Sequence, residues 1–491
     1  MNFATDVLEA LPPADLALIE RARDGRRREW SFGETADRSA RLAGALAARG
    51  IGRGDVVMML IGNRPEWVLT MVACMRIGAV VLPVTEQLRA KDLRLRFAVA
   101  RPSLIVADER NRSELERAAP RCAVALVPDE SLLAGEPAPA AELAASDPCL
   151  ITFTSGTSGG PKAVVHAQRY LCGQRLQAQH WLGARPGQLV WCTAASGWSK
   201  SARNVFIAPW LLGAAALLHD ARFEPEERVA LLRQEGVNVL CMAPTEYRVI
   251  AKRTAVRGPA ELRGLLAAGE ALNPEVLEAW REMTGLEIRD GYGQTETGQL
   301  TGAPPAEAAR PGSMGRALPG VRLGVQRGEL TVDPASVPTF FLGYLGEQVR
   351  RAQDGAWSAA DRRAGGIWRT GDLVREDDEG WLYFQGRNDD VIVSAGYRIG
   401  PFEVESALVS HPAVLEAAAV SAYDADRGAV VRAVVVLREG HAPSDELKRL
   451  LQEHVKLQTA PYKYPRIIDF VAELPKTASG KVRRAELRAR A

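Results

Sequence analysis

The sequence lacks the features of secreted proteins. Its six cysteines are scattered without a C-x-x-C pair, and most lie among apolar residues, which is typical of buried thiols. The amino-terminal segment MNFATDVLEALPPADL carries acidic residues and prolines where a signal peptide needs a basic start followed by an apolar run. The sequence therefore predicts a protein of a reducing compartment, the cytoplasm.

Long apolar runs and a strong net charge are also missing. The longest uncharged apolar stretch, residues 204–218, is too short to span a bilayer and contains Pro209, so it predicts a buried helix or strand. The 62 Lys and Arg residues nearly balance the 60 Asp and Glu residues. This balance gives no global field that would attract nucleic acid or an anionic membrane. We expect no nucleic-acid partner and no membrane span, and the oligomeric state stays open, with a homodimer as one possibility.

The order of apolar and polar residues predicts a mixed α/β fold. A chain of 491 residues is long enough for more than one domain. From residue 30 onward, amphipathic runs alternate with short β-branched runs such as VVMMLI and AVVLPV, which is the rhythm of strands interleaved with helices. After about residue 390 the pattern becomes that of a small α+β domain. We predict a large amino-terminal domain of layered sheets and helices over residues 1–388 and a small domain over residues 389–491.

One segment, TSGTSGGPK at residues 154–162, has the composition of a phosphate-binding loop. Its three glycines free the backbone to bring N–H groups near a polyanion, its hydroxyls add donors, and Lys162 adds positive charge. A flexible Gly/Ser surface loop is the alternative. A Walker A loop is excluded because Pro161 precedes the lysine and Ala163 follows it, where Gly and Ser or Thr are required.

The segment resembles the signature loop of the adenylate-forming superfamily, which includes acyl-CoA synthetases and the adenylation domains of peptide synthetases. Ala163 stands where that family usually has glycine. Other family elements follow in order: AAGEALN (267–273), DGYGQTE (290–296), WRTGD (368–372), GRNDDVIVSAGYRIGPFEVE (from 386) and LPKTASGKVRR (474–484). The motifs ASGWSKSA, APTEYR and APYKYPR are most similar to those of the medium-chain acyl-CoA synthetases.

The resemblance implies an ATP site with a magnesium ion. It assigns Tyr292 to the adenine, Asp372 to the ribose hydroxyls, Glu296 to Mg²⁺, and Thr295 and Lys481 to the α-phosphate and the acid's carboxylate. The implied catalytic residues are Lys162, Thr295, Glu296 and Lys481. The implied nucleotide-binding residues are Thr154, Ser155, Gly156, Thr157, Ser158, Gly159, Gly160, Pro161, Lys162, Gly269, Glu270, Asp290, Gly291, Tyr292, Gly293, Gln294, Thr295, Asp372, Arg387 and Lys481.

The resemblance also implies sites for coenzyme A and for the acid. The small domain would be mobile and would rotate about Asp389. Residues implied at the pantetheine arm are Ser394, Gly396 and Tyr397, and those implied for the rest of CoA are Arg427, Lys456 and Tyr464. Trp198, Gly293 and Gly298 suggest an apolar channel for the acid. Arg203 lies in an otherwise apolar stretch and is predicted either to face solvent or to meet a second polar group on the substrate.

These assignments predict an ATP-dependent acyl-CoA ligase. The carboxylate attacks the α-phosphorus of MgATP, and the CoA thiol then displaces AMP from the acyl-adenylate. A medium-chain fatty acid is the expected substrate, with an aryl-CoA (benzoate-type) ligase or a carrier-protein-loading enzyme as alternatives. A non-catalytic nucleotide binder is disfavoured because Lys481, Glu296 and Asp372 are all present. His166 and His411 are predicted to pack or cap, so no covalent enzyme intermediate is expected.

Overall fold

The computed structural model describes residues 1–154, 161–254, 258–269, 274–388, 390–394, 397–424, 428–477 and 481–489. The chain divides into two compact units. The first comprises Met1–Leu272, Val276–Arg322 and Asp333–Ile367, and the second comprises Asn273–Glu275, Leu323–Val332 and Trp368–Ala491. The second unit thus includes strands that precede residue 389. The predicted domain boundary between residues 388 and 389 marks the point about which the small domain would rotate, and it stays a prediction.

Two seven-stranded sheets form the framework of the first unit. In spatial order the first sheet contains Ile288–Gly291, Gly264–Ala268, Val239–Met242, Leu189–Cys192, Ala215–His219, Leu16–Arg21 and Arg27–Ser31. The second contains Gly343–Tyr344, Ala163–Ala167, Pro148–Phe153, Val80–Pro83, Val56–Leu60, Leu104–Asp108 and Ala123–Val127. Most neighbouring strands are parallel, and their near-continuous apolar runs are buried, as expected for sheets covered by helices.

Helices connect these strands, and capping residues mark where several of them begin or end. The longer α-helices are Phe32–Ala48, Pro65–Ile77, Ala90–Ala100, Pro225–Gln234, Pro244–Arg253, Pro274–Thr284, Pro401–Val409 and Asp445–Gln458, and the shorter ones are Arg112–Ala118, Arg169–Gly173, Arg175–Gln177, Ala208–Leu211 and Arg484–Ala489. The Ser31 hydroxyl caps the first helix by accepting from the Glu34 N–H. Gly78, with φ of 74°, ends the second in the left-handed region.

The stretch 204–218 is buried, as predicted. It runs through a π-helical turn (Arg203–Ile207), the helix Ala208–Leu211 and the strand Ala215–His219. Nearby, the core of the first sheet gathers around large aromatic side chains, such as Tyr247 and Trp280, whose ring centroids lie 4.9 Å apart. Among the described residues no helix has the length and apolar character needed to cross a membrane.

The second unit contains two antiparallel elements and a mixed sheet. A four-stranded sheet comprises Leu323–Gln326, Glu329–Val332, Trp368–Glu376 and Leu382–Arg387. A hairpin pairs Ile392–Ser394 with Tyr397–Ile399, and a three-stranded sheet contains Val414–Asp424, Gly428–Leu437 and Ile467–Phe470. The helices Pro401–Val409 and Asp445–Gln458 pack on this last sheet around a core that includes Val404, Leu451 and Ile468. The predicted α+β pattern after residue 390 is confirmed.

Candidate active site

The ends of the predicted phosphate-binding loop are held together by a β-hairpin. The strands Pro148–Phe153 and Ala163–Ala167 pair antiparallel, with Phe153 opposite Ala163. Beyond that pair, the Thr154 N–H donates to the Lys162 carbonyl at 2.9 Å. Six predicted loop residues lie outside the described part of the chain: Ser155, Gly156, Thr157, Ser158, Gly159 and Gly160. The described ends fix where Lys162 leaves the sheet.

A second, tighter hairpin presents Thr295 and Glu296. Its two short strands pair Gly293 with Gln299 and Gln294 with Gly298. A Cβ on Gly293 would lie 1.9 Å from the Gly298 carbonyl oxygen, so only glycine allows this approach of the two strands. The turn is closed by the Gln294 N–H, which donates to the Thr297 hydroxyl at 3.0 Å. Thr295 and Glu296 therefore stand at the tip of a closely packed hairpin.

Hydrogen bonds and charge join this hairpin tip to the phosphate loop. The Tyr344 hydroxyl donates to Glu296 Oε1 at 2.8 Å, and Lys162 Nζ lies 4.6 Å from the centroid of the Tyr344 ring. Lys162 also pairs with Glu347 at 3.1 Å, with both side chains about half exposed. The structure thus brings together Lys162 and Glu296, two residues that the sequence places far apart. We call Lys162, Glu296, Tyr344 and Glu347 the lysine–glutamate cluster.

Tyr344 is a member of the site that the sequence did not reveal. The strand Gly343–Tyr344 pairs with Ala163–Ala167, which places the tyrosine beside the loop lysine. Burial and the neighbouring Glu296 carboxylate raise the pKa of the Tyr344 hydroxyl, so it stays protonated and can donate to that carboxylate. A lone tyrosine next to glycine carries no sequence signal of its own.

Predicted nucleotide-binding residues also occupy the carboxyl ends of neighbouring strands in the first sheet. Gly269 follows the strand Gly264–Ala268 with φ of 107°, and Lys200 Nζ donates to the Ala268 carbonyl at 3.1 Å. Asp290 lies on the adjacent strand, and burial raises the pKa of its carboxyl to about 8. Ends of parallel strands are the usual place for ligands in such sheets. Glu270 lies outside the described residues.

The residues predicted to bind the acid differ in environment. Trp198 is half buried. The preceding Gly197 has φ of 90°, and the backbone at Val84 and Thr85 leaves no room for a Cβ there, so both features require glycine. Gly298 has φ of 71° and approaches the Thr339 side chain, whose Oγ1 would lie 2.7 Å from an added Cβ. Its backbone conformation and this close side-chain contact thus explain the glycine without reference to a ligand.

Arg203 does not face solvent, which removes one of its two predicted roles. Arg203 is only 5% exposed and lies at the start of the π-helical turn. Beside it, the His166 ring packs at 4.0 Å centroid distance on Tyr170, and burial lowers the pKa of His166 to about 3. His411 caps locally, because its Nδ1 accepts from the Ala413 N–H at 3.2 Å. Both histidines have the structural roles predicted for them.

In the second unit, Asp372 and Arg387 lie opposite each other on paired strands. Arg387 Nη1 donates to Asp372 Oδ1 at 3.1 Å, and the Asp372 carboxylate is buried. The turn before it is shaped by Gly371, with φ of 75°, whose N–H donates to Glu329 Oε1 at 3.0 Å. The structure therefore fixes a carboxylate and a guanidinium together, a pair suited to ribose hydroxyls and phosphate.

The predicted CoA-binding residues are only partly described. Ser394 is buried and faces Tyr397 in the hairpin register. Lys456 Nζ lies 4.4 Å from the centroid of the Tyr464 ring, so these two predicted residues are adjacent. Gly396, Arg427 and the predicted pivot Asp389 lie outside the described residues.

Lys481 is exposed in the second unit and lies shortly before the helix Arg484–Ala489. The Thr477 N–H donates to the Lys481 carbonyl at 2.8 Å, and the Lys481 N–H donates to the Thr477 hydroxyl at 3.2 Å. These bonds fix the backbone of the lysine relative to Thr477. Residues 478–480 of the predicted loop LPKTASGKVRR lie outside the described part of the chain, so the role of Lys481 stays a prediction.

Comparison with known proteins assigns the class. Residues 9–338 match the family model of the AMP-binding enzymes, and residues 403–481 match that of the AMP-binding enzyme C-terminal domain. The chain therefore belongs to the AMP-binding enzymes of the adenylate-forming superfamily, as its motifs predicted. The class of enzyme is an AMP-forming acid–thiol ligase.

Relatives of similar length are acyl-CoA ligases and synthetases. The chain is 36% identical to an uncharacterised acyl-CoA ligase, YtcI, of Bacillus subtilis, with 96% of this chain and 93% of that protein covered. It is 37% identical to the mitochondrial acyl-coenzyme A synthetase ACSM4 of Homo sapiens, with 99% and 90% covered.

Solved structures confirm the fold class. An acyl-CoA synthetase from Brucella canis is 34% identical, with a TM-score of 0.75 and coverage of 100% of this chain and 94% of that one. A benzoate CoA ligase from Burkholderia xenovorans LB400 is 27% identical, with a TM-score of 0.86 and coverage of 99% and 100%. The anthranilate CoA ligase AuaEII, in complex with anthranoyl-AMP, has the same TM-score and identity, with coverage of 100% and 97%.

Proposed function

We propose that this chain converts a medium-chain carboxylic acid, ATP and CoA to acyl-CoA, AMP and pyrophosphate through an acyl-adenylate. The observation that carries the proposal is the lysine–glutamate cluster, in which a phosphate-loop lysine and a metal-type carboxylate share one tyrosine. The full-length similarity to acyl-CoA ligases supports the acceptor. The free cysteines support a reducing compartment such as the cytoplasm.

In the first step the protein's task is to stabilise charge. Lys162 would neutralise the departing pyrophosphate, and Lys481 would bridge the acid's carboxylate and the α-phosphate, since two anions otherwise repel each other. Thr295, at the hairpin tip, would hydrogen-bond both groups. None of these residues needs to transfer a proton, so positioning accounts for most of the rate.

A magnesium ion fits the chemistry of Glu296. The carboxylate is half buried at the hairpin tip, and one oxygen is oriented by the Tyr344 hydroxyl. Mg²⁺ prefers oxygen ligands and is commonly held by one or two carboxylates together with substrate phosphates. Glu296 would supply the protein oxygen, and the ion would withdraw charge from the phosphates during displacement.

In the second step the same site would serve thioester formation. We propose that Asp389 is the pivot about which the small domain rotates, so that Gly396 takes the place of Lys481. Ser394 and Tyr397 would then contact the pantetheine arm. Lys456 and Tyr464, which are adjacent, would contact the distal phosphates and adenine of CoA, together with Arg427.

An aryl acid is the second candidate substrate. The anthranilate and benzoate CoA ligases superpose with a TM-score of 0.86, above that of the acyl-CoA synthetase from Brucella canis. The half-buried Trp198 also offers an aromatic surface on which a flat ring could stack.

An acid panel tests the function. The purified protein would be given MgATP, CoA and short to medium straight-chain acids or benzoate analogues, with AMP and acyl-CoA both measured. We expect equal amounts of AMP and acyl-CoA, with the highest kcat/KM for medium-chain acids. A kcat/KM for benzoate above that of every straight-chain acid would favour an aryl-CoA ligase. AMP release that yields thioester only on a carrier protein, and never with CoA, would overturn the proposed acceptor.

A further inference from the structure

A group of buried polar side chains surrounds Arg203 in the first unit. They come from the strand Ala163–Ala167, the two short helices that follow it and the π-helical turn that begins at Arg203. Its members are between 0% and 5% exposed: His166, Tyr170, Gln174, Gln177, Arg203 and Asn204. We call them the arginine cluster. A π-helical turn is rare and is often found at functional sites.

Much of the polar capacity of the arginine cluster is unused within the described part of the chain. Arg203 Nε and Nη1 and both ring nitrogens of His166 have no hydrogen-bond partner there, whereas Gln174 and the Arg203 guanidinium both neighbour the Tyr170 hydroxyl. Asn204 receives one bond from Gln177, yet its own amide nitrogen has none. Buried polar groups are normally paired, and a buried charge is costly when it is not. The cluster therefore has the character of a binding site.

A second buried arginine shows what a purely structural guanidinium looks like in the same unit. Arg228 is 6% exposed, close to the value for Arg203. It pairs with Glu246 at 3.4 Å and lies 4.9 Å from the centroid of the Trp191 ring. Arg203 has no carboxylate within ion-pair distance among the described residues, and its polar neighbour is the hydroxyl of Tyr170. Among the described residues, the fold thus supplies a counter-ion to Arg228 and not to Arg203.

The charge around Arg203 is positive. Lys200 and Arg203 both lie close enough to the buried Cys241 thiol to affect its pKa. Lys200 donates to the Ala268 backbone carbonyl rather than to a carboxylate. His166 adds no negative charge, because burial lowers its pKa to about 3 and it is neutral at pH 7. A ligand group that complements this cluster must therefore accept hydrogen bonds and carry negative charge.

The arginine cluster is next to the hairpin that presents Thr295. The His166 ring packs on Tyr170 at 4.0 Å and lies beside the backbone of Thr295 and Thr339, although neither ring nitrogen reaches good hydrogen-bond geometry. Tyr170 in turn neighbours the Arg203 guanidinium. An acid whose reacting carboxylate is held at Thr295 has this cluster on one side of it.

We propose that Arg203 binds a second anionic oxygen at the far end of the acid, so that the preferred substrates are dicarboxylic acids rather than acids that end in a methyl group. The inference rests on the proposed function and narrows its substrate class from medium-chain acids in general to medium-length dicarboxylates. One carboxylate is adenylated while the other pairs with the guanidinium in a bidentate fashion.

Matched acids test the inference in the wild-type protein. The kcat/KM for acyl-CoA formation would be compared between succinate and butyrate, adipate and hexanoate, and suberate and octanoate, with ω-hydroxyoctanoate as a neutral polar analogue. We expect the best dicarboxylate to exceed its monocarboxylate by about tenfold or more, the range of a charged hydrogen bond lost from a buried site. Equal values in all pairs, or a preference for monocarboxylates, would overturn the inference. A preference for the hydroxy acid over suberate would overturn the anionic assignment.

Variants locate the effect at Arg203. In R203M the ratio should fall below one, because the charge is gone while the length of the side chain remains, and R203K should keep part of the preference. R228M serves as the matched control: it should lower the melting temperature, since Glu246 loses its cationic partner and keeps, among the described residues, only the hydrogen bond from the Thr193 hydroxyl, but leave the substrate ratio unchanged. R203M should be at least as stable as the wild type, and a clear loss of stability would contradict the lack of a carboxylate partner for Arg203 among the described residues.

The two levels of the proposal fail differently. If no acid in either series releases AMP, the proposed function is wrong and this inference falls with it. If monocarboxylates are activated well and R203M leaves every ratio unchanged, the proposed function stands and the inference is wrong. Should R203M fail to fold, the wild-type ratios and R203K still decide.

Discussion

The two units hold their charged groups in contrasting ways. In the first, Glu296 and Lys162 share the Tyr344 side chain, so their positions are set by hydrogen bonding and ring contact. In the second, Lys481 is exposed, and the described hydrogen bonds that hold it come from its backbone and join it to Thr477. Groups that stabilise charge work best when they are preorganised, whereas a group needed in one step only must be able to leave. The proposed scheme accordingly gives permanent roles to the residues of the first unit and a step-specific role to Lys481 of the second.

The largest expected effect is that of Lys481→Ala. Loss of the bridging charge should reduce adenylate formation by about 10³-fold, comparable to removal of a principal oxyanion-stabilising group. Conversion of preformed acyl-adenylate and CoA to thioester should continue at near wild-type rate. The two half-reactions would be measured separately, by pyrophosphate exchange and by thioester formation.

Lys476→Ala is the matched control for that variant. Lys476 lies on the same segment but pairs with Glu416 at 2.7 Å, so its loss should leave both half-reactions nearly unchanged. If Lys481→Ala slowed both half-reactions alike, the step-specific role of the second unit would be wrong.

Glu296→Gln should have the next largest effect. The amide keeps the shape but removes the charge that would hold Mg²⁺, so adenylate formation should fall by about 10²-fold and need more magnesium. Steady-state rates at increasing Mg²⁺ concentration measure both. Glu347→Gln, in the same cluster but about half exposed, should change the rate far less. A wild-type magnesium requirement in Glu296→Gln would contradict the assignment.

Tyr344→Phe tests whether the lysine–glutamate cluster is preorganised. The hydroxyl orients Glu296 without contacting the substrates in this scheme, so its loss should cost about tenfold or less, the worth of one charged hydrogen bond. The apparent affinity for Mg²⁺ should weaken, which a purely structural role would not cause. Tyr383→Phe removes a comparable bond, to Asp377 in the second unit, and should leave the magnesium dependence unchanged.

The smallest expected effect concerns stability and separates a buried from an exposed histidine. Burial lowers the pKa of His166 from 6.5 to about 3, so the unfolded chain binds a proton that the folded one does not. The free energy of unfolding should therefore fall as pH drops below about 6.5, by up to about 1.4 kcal/mol per pH unit from this group. Relative to His166→Gln, the wild type should lose stability on acidification, as urea titrations would measure. His441→Gln, at an exposed site, should follow the wild type, and parallel pH curves for His166→Gln would refute the assignment.

Local patterns were enough to predict most of the fold. The runs VVMMLI and AVVLPV form the strands Val56–Leu60 and Val80–Pro83, because β-branched and apolar residues between turn signals have few alternatives. The four-hydroxyl, three-glycine composition around Lys162 and the DGYGQTE element likewise predicted residues that the fold does bring together. Each motif forms or adjoins its own hairpin, and the Tyr344 side chain joins the two.

Contacts that depend on distant parts of the chain could not be predicted. Tyr344 meets Glu296 across 48 residues because a two-residue strand adds to the sheet edge, and no local pattern marks so short a strand. The sequence alone does not decide whether Arg203 faces solvent or is buried, because its burial depends on side chains from a strand and helices that precede it in sequence. Apolar periodicity reports whether a segment is buried, but it does not report whether a buried charge has a partner.

The central claim is that an acyl-adenylate lies on the path. The most direct measurement uses a carboxylic acid labelled with ¹⁸O in its carboxylate, turned over with ATP and CoA, followed by mass spectrometry of the nucleotide and phosphate products. We predict that one labelled oxygen appears in AMP, because the carboxylate attacks the α-phosphorus and its oxygen stays there when the thiol displaces AMP. Label in inorganic phosphate together with ADP would reveal an acyl-phosphate route and contradict the account.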